Sequence, residues 1–218
     1  MSQLYNDIVL YGPGFLEAAW LVLGITVSTI ALSWVFGLLA VLAKRSEFLP
    51  LRAVGSFYVW FIRGTPALIQ VFIIYFGLPQ IGLNPSPFLA GVIALGLNSG
   101  AYVAEIIRSG LMAIPKGQFE SSQALGMSHQ ETMGRIVLPQ VFRIILPPLT
   151  NEAIAALKNT SLLSTITVVD LTLYAQTIIS ATFRPFQFFI ATALIYLVLT
   201  TLLTQLASWM ERRQLRLS

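Results

Sequence analysis

Three stretches of the chain carry no charged side chain at all: Ala18 to Ala43, Gly64 to Ala104 and Pro185 to Met210. About 20 consecutive apolar residues suffice to cross a bilayer as a helix, so each stretch holds at least one span. Composition agrees, with 56% of the 218 residues hydrophobic and 10% charged, a balance that water-soluble domains do not show. The sequence contains no cysteine, which excludes disulfide frameworks and thiolate metal sites. The one histidine, His129, reads as a loop surface residue rather than a ligand, and no metal site or catalytic residue is expected. A cleavable leader would begin with basic residues, whereas the first one is Lys44; the first apolar segment is therefore expected to stay as a membrane helix.

Five spans follow, at about Phe15–Ala43, Tyr58–Leu78, Pro87–Met112, Gln140–Thr165 and Pro185–Met210. The uncharged run from Gly64 to Ala104 is too long for one helix, and Pro79, Gly82, Asn84, Pro85, Ser86 and Pro87 break it into two. Basic residues prefer the cytoplasmic flanks of spans. Lys44, Arg45 and Arg52 follow span one, Lys116 and Arg135 lie between spans three and four, and Arg212, Arg213 and Arg216 follow span five. The N-terminal segment and the turn between spans two and three have none. The fold expected is an all-α transmembrane bundle, one domain over residues 1–218, with its N-terminus outside and its C-terminus in the cytoplasm. The net charge of +4 belongs to that topology and not to nucleic-acid binding.

The cytoplasmic segment at about 113–139 is more ordered in its grammar than a loop requires. A short helix around Gln118 to Leu125 stops at Gly126, the residue that best accepts a left-handed C-terminal cap. Ser128 and Glu131 then fit a reciprocal capping box opening a second helix, expected to end before Pro139. The result is a compact projection joined to two spans, suited to passing a push to both.

Here the residues resemble a family. Glu120-Ser-Ser, then Gly126, then Ile136-Val-Leu-Pro139 is similar to the EAA loop of bacterial ABC importer permeases, in which Ser121 and Ser122 replace two alanines. Phe61-Ile-Arg-Gly-Thr-Pro66, Leu97-Asn-Ser-Gly-Ala-Tyr-Val-Ala-Glu105 and Lys158-Asn-Thr-Ser-Leu162 are similar to its polar amino acid branch, and the match runs from about Leu51 to Arg213. The resemblance implies a type I ABC importer permease in a bacterial cytoplasmic membrane. Its implied partners are a second permease subunit, identical or homologous, two cytoplasmic ATP-binding subunits and an extracytoplasmic amino-acid-binding protein. It also implies that Glu120, Ala124, Leu125, Gly126 and Met127 lie on a coupling helix that docks on the ATP-binding subunit. The chain has no Gly-x4-Gly-Lys-Ser/Thr loop, so ATP and Mg would be bound by those partners and this subunit would be no enzyme.

Polar side chains inside spans cost about 2.5–3.5 kcal/mol each when charged and are functional candidates by default. In span three Asn98, Tyr102 and Glu105 share a helical face, while Gly96 and Gly100 form a small-x3-small pair for close helix approach. Glu105 either lines a polar path or pairs with Arg108. In span four Asn151 and Glu152 follow Pro147-Pro148 and precede Lys158. Glu152 would accept from a substrate ammonium while Lys158, Thr160 and Ser161 position its carboxylate, or Glu152 and Lys158 simply pair with each other. In span two, Gly64-Thr65-Pro66 would interrupt the helix and put Thr65 on the path; Arg63 reads as an anchor reaching the headgroups. In the resembling family an acidic residue at the Glu152 position implies a basic substrate such as arginine, lysine, histidine or ornithine. The function expected is import of polar amino acids by alternating access, with Val168 to Arg184 as an outer loop meeting the loaded receptor. The rival is an ion-gradient-driven secondary transporter or channel subunit, which would need internal inverted repeats and an ion relay.

Overall fold

The computed structural model describes residues 2–215, and among them every regular element is helical. Helix α1 (Ser2–Arg45) is far longer than the span expected from Phe15; at about 1.5 Å per residue it reaches roughly twice the thickness of a hydrocarbon core. Next come α2 (Leu49–Gly64) and α3 (Ala67–Phe72), the latter continued by a π turn (Ile73–Gly77) and a 3-10 turn (Leu78–Ile81). Helix α4 (Pro87–Met112) is followed by the short α5 (Lys116–Ala124) and α6 (His129–Thr132). A π turn (Met133–Val137) leads into α7 (Leu138–Asn159), which ends in a 3-10 stretch (Thr160–Ile166). Helices α8 (Leu171–Thr182) and α9 (Pro185–Leu215) complete the chain. Three of the described helices are long and apolar enough to cross a membrane, or up to five elements if each bent pair counts as one span.

Two expectations are corrected. The second loop helix does not end before Pro139. In the π turn Leu138 N–H donates to the Met133 carbonyl, a widened turn placed where the proline would break ordinary α pitch, and the helix runs on into α7. The segment from Val168 to Arg184 is not a loop either: Asp170 caps its helix, accepting from Leu173 N–H at 2.9 Å, and Arg184 clamps Asp7 of α1 through two bonds of 3.0 and 2.7 Å.

Helix α1 is the common wall. It contributes Ala40 and Val41, near its C-terminal end, to one core with Val59, Ala104 and Val141, Ile25 to a middle one with Val71, Leu95 and Leu163, and Phe15 and Val22, in its N-terminal half, to a third with Leu171 and Phe188. Glycines set the spacing. A Cβ on Gly96 would lie 2.8 Å from Leu32, and one on Gly100 2.7 Å from Phe36, so the small pair on α4 packs against α1. On its other side α4 meets α7, where a Cβ on Gly110 would stand 2.2 Å from Ile145.

The α2–α3 break bends the chain by 115°. Pro66 has no N–H and Thr65 is extended, so carbonyls at the end of α2 lose their helical donors. Buried Gln70 replaces them: its Nε2 donates to the carbonyls of Ile62 (2.8 Å) and Thr65 (3.1 Å) and to Thr65 Oγ1 (2.8 Å). Its Oε1 accepts from Asn98 Nδ2 at 3.0 Å, which ties the break to α4. Replacing Gln70 by the similarly sized leucine strands these groups at about 1–3 kcal/mol. The expected outcome for Gln70→Leu is a thermal unfolding midpoint lower by roughly 5 °C in detergent, read by scanning fluorimetry; an unchanged midpoint would show that the break holds without the amide.

Candidate translocation site and coupling loop

A cavity of about 440 Å³ opens along the seam of α4 and α7, lined by Arg63, Tyr102, Glu105, Ser109, Pro148 and Glu152 among others. The fold puts these groups together for separate reasons. Pro148 cannot donate to the Ile144 carbonyl, and Ile144 itself lines the cavity, so the wall carries polar backbone. Glu152 stands one turn beyond, where its Oε1 accepts from Ser99 Oγ of α4 at 2.7 Å. Less than two turns along α4 from Ser99 the second carboxylate, Glu105, is held by Lys44 Nζ (2.6 Å) and by Arg108 Nε (2.9 Å) and Nη2 (2.8 Å). Arg63 lies 3.8 Å from Glu105 and sits over the Tyr102 ring at 5.6 Å. One carboxylate is thus saturated by cations while the other meets only a hydroxyl, which leaves Glu152 as the lining acid with acceptor capacity to spare.

The residues singled out in the sequence divide into three groups. Tyr102, Glu105 and Glu152 share the cavity. Thr65 and Asn98 are bonded to Gln70 and form part of the hinge rather than the lining. Lys158 and Ser161 face the opposite way, toward α9, where Lys158 borders Thr200, Thr201 and Thr204 on one side and Tyr196 on the other. Buried Thr160 donates to the Leu157 carbonyl and lies 3.4 Å from the Tyr196 hydroxyl, which in turn donates to Asp170. Asn151 is exposed. The pairing of Glu152 with Lys158 is not formed; six residues apart on a helix, the two point about 120° away from each other. Arg63, read in the sequence as a headgroup anchor, sits over Tyr102 and also borders the cavity.

Gln70 and Ser99 were missed. The signal for Gln70 lay in the question of which side chain could cap carbonyls freed by Pro66. For Ser99 there was only its position beside Asn98.

At the other end, α5 and α6 form the projection. Ser122, in place of one family alanine, is fully buried, accepting from Thr132 Oγ1 at 3.0 Å and donating to the Phe119 carbonyl, so it fastens α6 to α5. Gly126, at φ +74°, donates to Gln123 O while Met127 donates to Ser122 O, the paired bonds of a Schellman C-terminus. The turn leaves Glu120, Ala124, Leu125 and Gly126 exposed and Met127 half-buried, with Leu125 78% accessible. The capping box is complete: Glu131 N–H donates to Ser128 Oγ, and Ser128 N–H and Oγ donate to the Glu131 carboxylate. Those bonds hold the Glu131 carboxyl below its ordinary pKa, so the support they give is present above that ordinary value and fades as pH falls through the lowered one.

This bundle, with its broken spans and a rigid helical projection between α4 and α7, is the architecture of a membrane transport subunit. The chain belongs to the family of binding-protein-dependent transport system inner membrane components, whose model matches residues 33–216, and within it to the amino acid ABC permeases. It is 42% identical over 193 residues to the L-cystine transport system permease protein TcyB of Bacillus subtilis, covering 86% of this chain and 82% of that one. It is 40% identical over 203 residues to the glutamine transport system permease protein GlnP of Escherichia coli K12, covering 92% and 93%. A crystal structure of an amino acid ABC transporter with histidines contains a chain that superimposes with a TM-score of 0.90 at 42% identity, covering 95% of this chain and 97% of that one.

Removing the cap isolates the loop's own stability. In Ser128→Ala, amide hydrogens of residues 129–132 should exchange roughly fivefold faster than in the wild type, with α4 unchanged, as read by hydrogen-exchange mass spectrometry. Equal exchange would mean that packing on Ser122 alone orders α6.

Proposed function

We propose that the chain is the membrane-spanning, non-catalytic subunit of an ATP-driven importer of polar amino acids, moving its substrate through the α4–α7 cavity by alternating access. The observation that carries this reading is Glu152: a carboxylate at a proline-interrupted position, lining a cavity and bonded only to a serine hydroxyl. A cationic or zwitterionic ligand is the natural counterpart of such an acceptor. Arg63, stacked on Tyr102 at the other side of the same cavity, supplies positive charge for a substrate carboxylate.

The relatives' names mention cystine and glutamine and the solved neighbour was crystallised with histidines, so similarity alone does not select a substrate. The acid at Glu152 favours a basic amino acid. The proposed site is narrower than the sequence suggested: Tyr102, Glu105 and Glu152 with Arg63 face the substrate, Thr65 and Asn98 position the hinge through Gln70, and Lys158 with Thr160 and Ser161 serves the α9 side. Exposed Leu125, with Glu120, Ala124, Gly126 and Met127 around it, is the proposed docking point for the ATP-binding subunit. The full assembly proposed is two permease subunits, two ATP-binding subunits and an extracytoplasmic binding protein in a bacterial cytoplasmic membrane.

The proposed topology counts each bent pair as one span, giving five, with the N-terminus outside. It is supported by the basic cluster of Lys44, Arg45 and Arg52 at the α1–α2 turn. Because the chain lacks cysteine, single replacements report on topology directly. In whole cells a membrane-impermeant maleimide should label Ser86→Cys and spare Ser46→Cys; the reverse pattern would invert the orientation.

The substrate reading is tested by ATPase stimulation in liposomes containing the complete complex, with lysine, arginine, histidine, glutamine and glutamate in turn. Glu152→Gln should lower the response to basic amino acids about tenfold or more while assembly persists. An unchanged response would make Glu152 structural and remove the basic-substrate assignment.

A further inference from the structure

A second cavity, about 410 Å³ in volume, lies between the C-terminal end of α1 and the C-terminal half of α2, lined by Lys44, Ser56, Val59, Trp60, Arg63 and Gly64, with Glu105 at its back. Its charge is unbalanced. Lys44 and Arg63 line it against the single carboxylate of Glu105, an excess of one positive charge, and Arg108, outside the lining, already pairs with that carboxylate. The adjoining α1–α2 turn adds exposed Arg45 and Arg52 against exposed Glu47. Trp60 lines the recess, and along the same exposed stretch of α2 Val54, Phe57 and Trp60 are all more than 60% accessible, with the Phe57 and Trp60 rings 5.8 Å apart.

A cationic recess edged by exposed aromatic side chains matches one ligand chemistry, a phosphate ester that carries hydrocarbon. We propose that this cavity binds the phosphate of an anionic phospholipid of the phosphatidylglycerol class. Lys44, Arg63 and the Ser56 hydroxyl donate to the phosphate, and the acyl chains lie along Val54, Phe57 and Trp60. Assigning the lipid to the inner leaflet rests on the orientation proposed above; the site itself does not. Arg63 borders both this cavity and the α4–α7 cavity, so a bound phosphate competes with Glu105 for it and links lipid composition to the wall of the translocation path.

The test uses the purified complete complex, exposed in detergent to phosphatidylglycerol or phosphatidylcholine and read by native mass spectrometry, which counts retained lipid whatever the membrane orientation. The wild type should retain phosphatidylglycerol in preference to phosphatidylcholine, excess inorganic phosphate should not displace it, and Arg63→Gln should retain about fivefold less. Ser56→Asp, which removes none of the Glu105 partners and sets a negative charge in the recess, should lose it as well and decides the matter if Arg63→Gln fails to assemble. Equal retention of phosphatidylcholine, or undiminished phosphatidylglycerol in these variants, overturns the site. Displacement by inorganic phosphate would assign it to a free anion instead. Loss of the ATP-binding subunits from Arg63→Gln with lipid retention unchanged would make the recess a protein contact.

Discussion

A helix broken within a membrane has backbone carbonyls that no water can reach, and the amide of Gln70 is what makes the break between α2 and α3 tenable. Its two N–H groups serve three acceptors around Ile62 and Thr65, and its oxygen holds Asn98. The 115° turn is thereby fixed relative to α4 instead of being free to straighten. Both cavities depend on it: α2 ends at Arg63 and Gly64 beside them, and a shift of the hinge would carry the guanidinium off Tyr102 and Glu105. A polar side chain that costs energy on insertion is here repaid by geometry.

Helix α7 divides the remaining work between two faces. On one, Pro148 and Glu152 look into the cavity; on the other, Lys158 looks toward α9, as does Ser161 in the 3-10 stretch just beyond. Beyond its end, Thr160, Tyr196 and Asp170 form a polar network that joins the 3-10 stretch, α9 and the cap of α8. One rigid element thus faces the cavity and the outer helices together, and its inner end continues without interruption into the loop projection. From His129 the chain stays helical through the π turn to Glu152, and Leu125 joins that run through the turn at 126–128.

Much of this was legible in the sequence because it is written in local rules. The Ser128–Glu131 box, the left-handed Gly126 and the break at Gly64-Thr65-Pro66 each follow from the chemistry of a few neighbours, and so does the packing use of Gly96 and Gly100. The helical state of 171–182 was not, since its cap, Asp170, sits among apolar residues with no polar periodicity to announce it. The π turn before Pro139 was missed because proline forbids a regular α turn but not a widened one. The partition of the site also stayed hidden: spacing places Glu152 and Lys158 on one helix, yet which face meets α4 and which meets α9 is decided by Gly110 yielding room to Ile145, a contact between distant segments. Ser122 shows the reverse case, a departure from the family triplet that becomes meaningful once Thr132 is seen beside it.

The clasp between Asp7 and Arg184 joins residues 177 positions apart, and Tyr11 and Phe15 of α1 meet Phe188 and Tyr174 nearby. Helix α1 is therefore synthesised well before the α8 and α9 residues that close its N-terminal half. Within α1, Thr26 and Ser33 each spend the hydroxyl on a carbonyl of their own helix, which needs no partner helix. The Asp7–Arg184 contact is a ring closure across the fold, so a chain truncated between α7 and α9 keeps its hinge and its coupling projection in sequence but cannot close this end of α1.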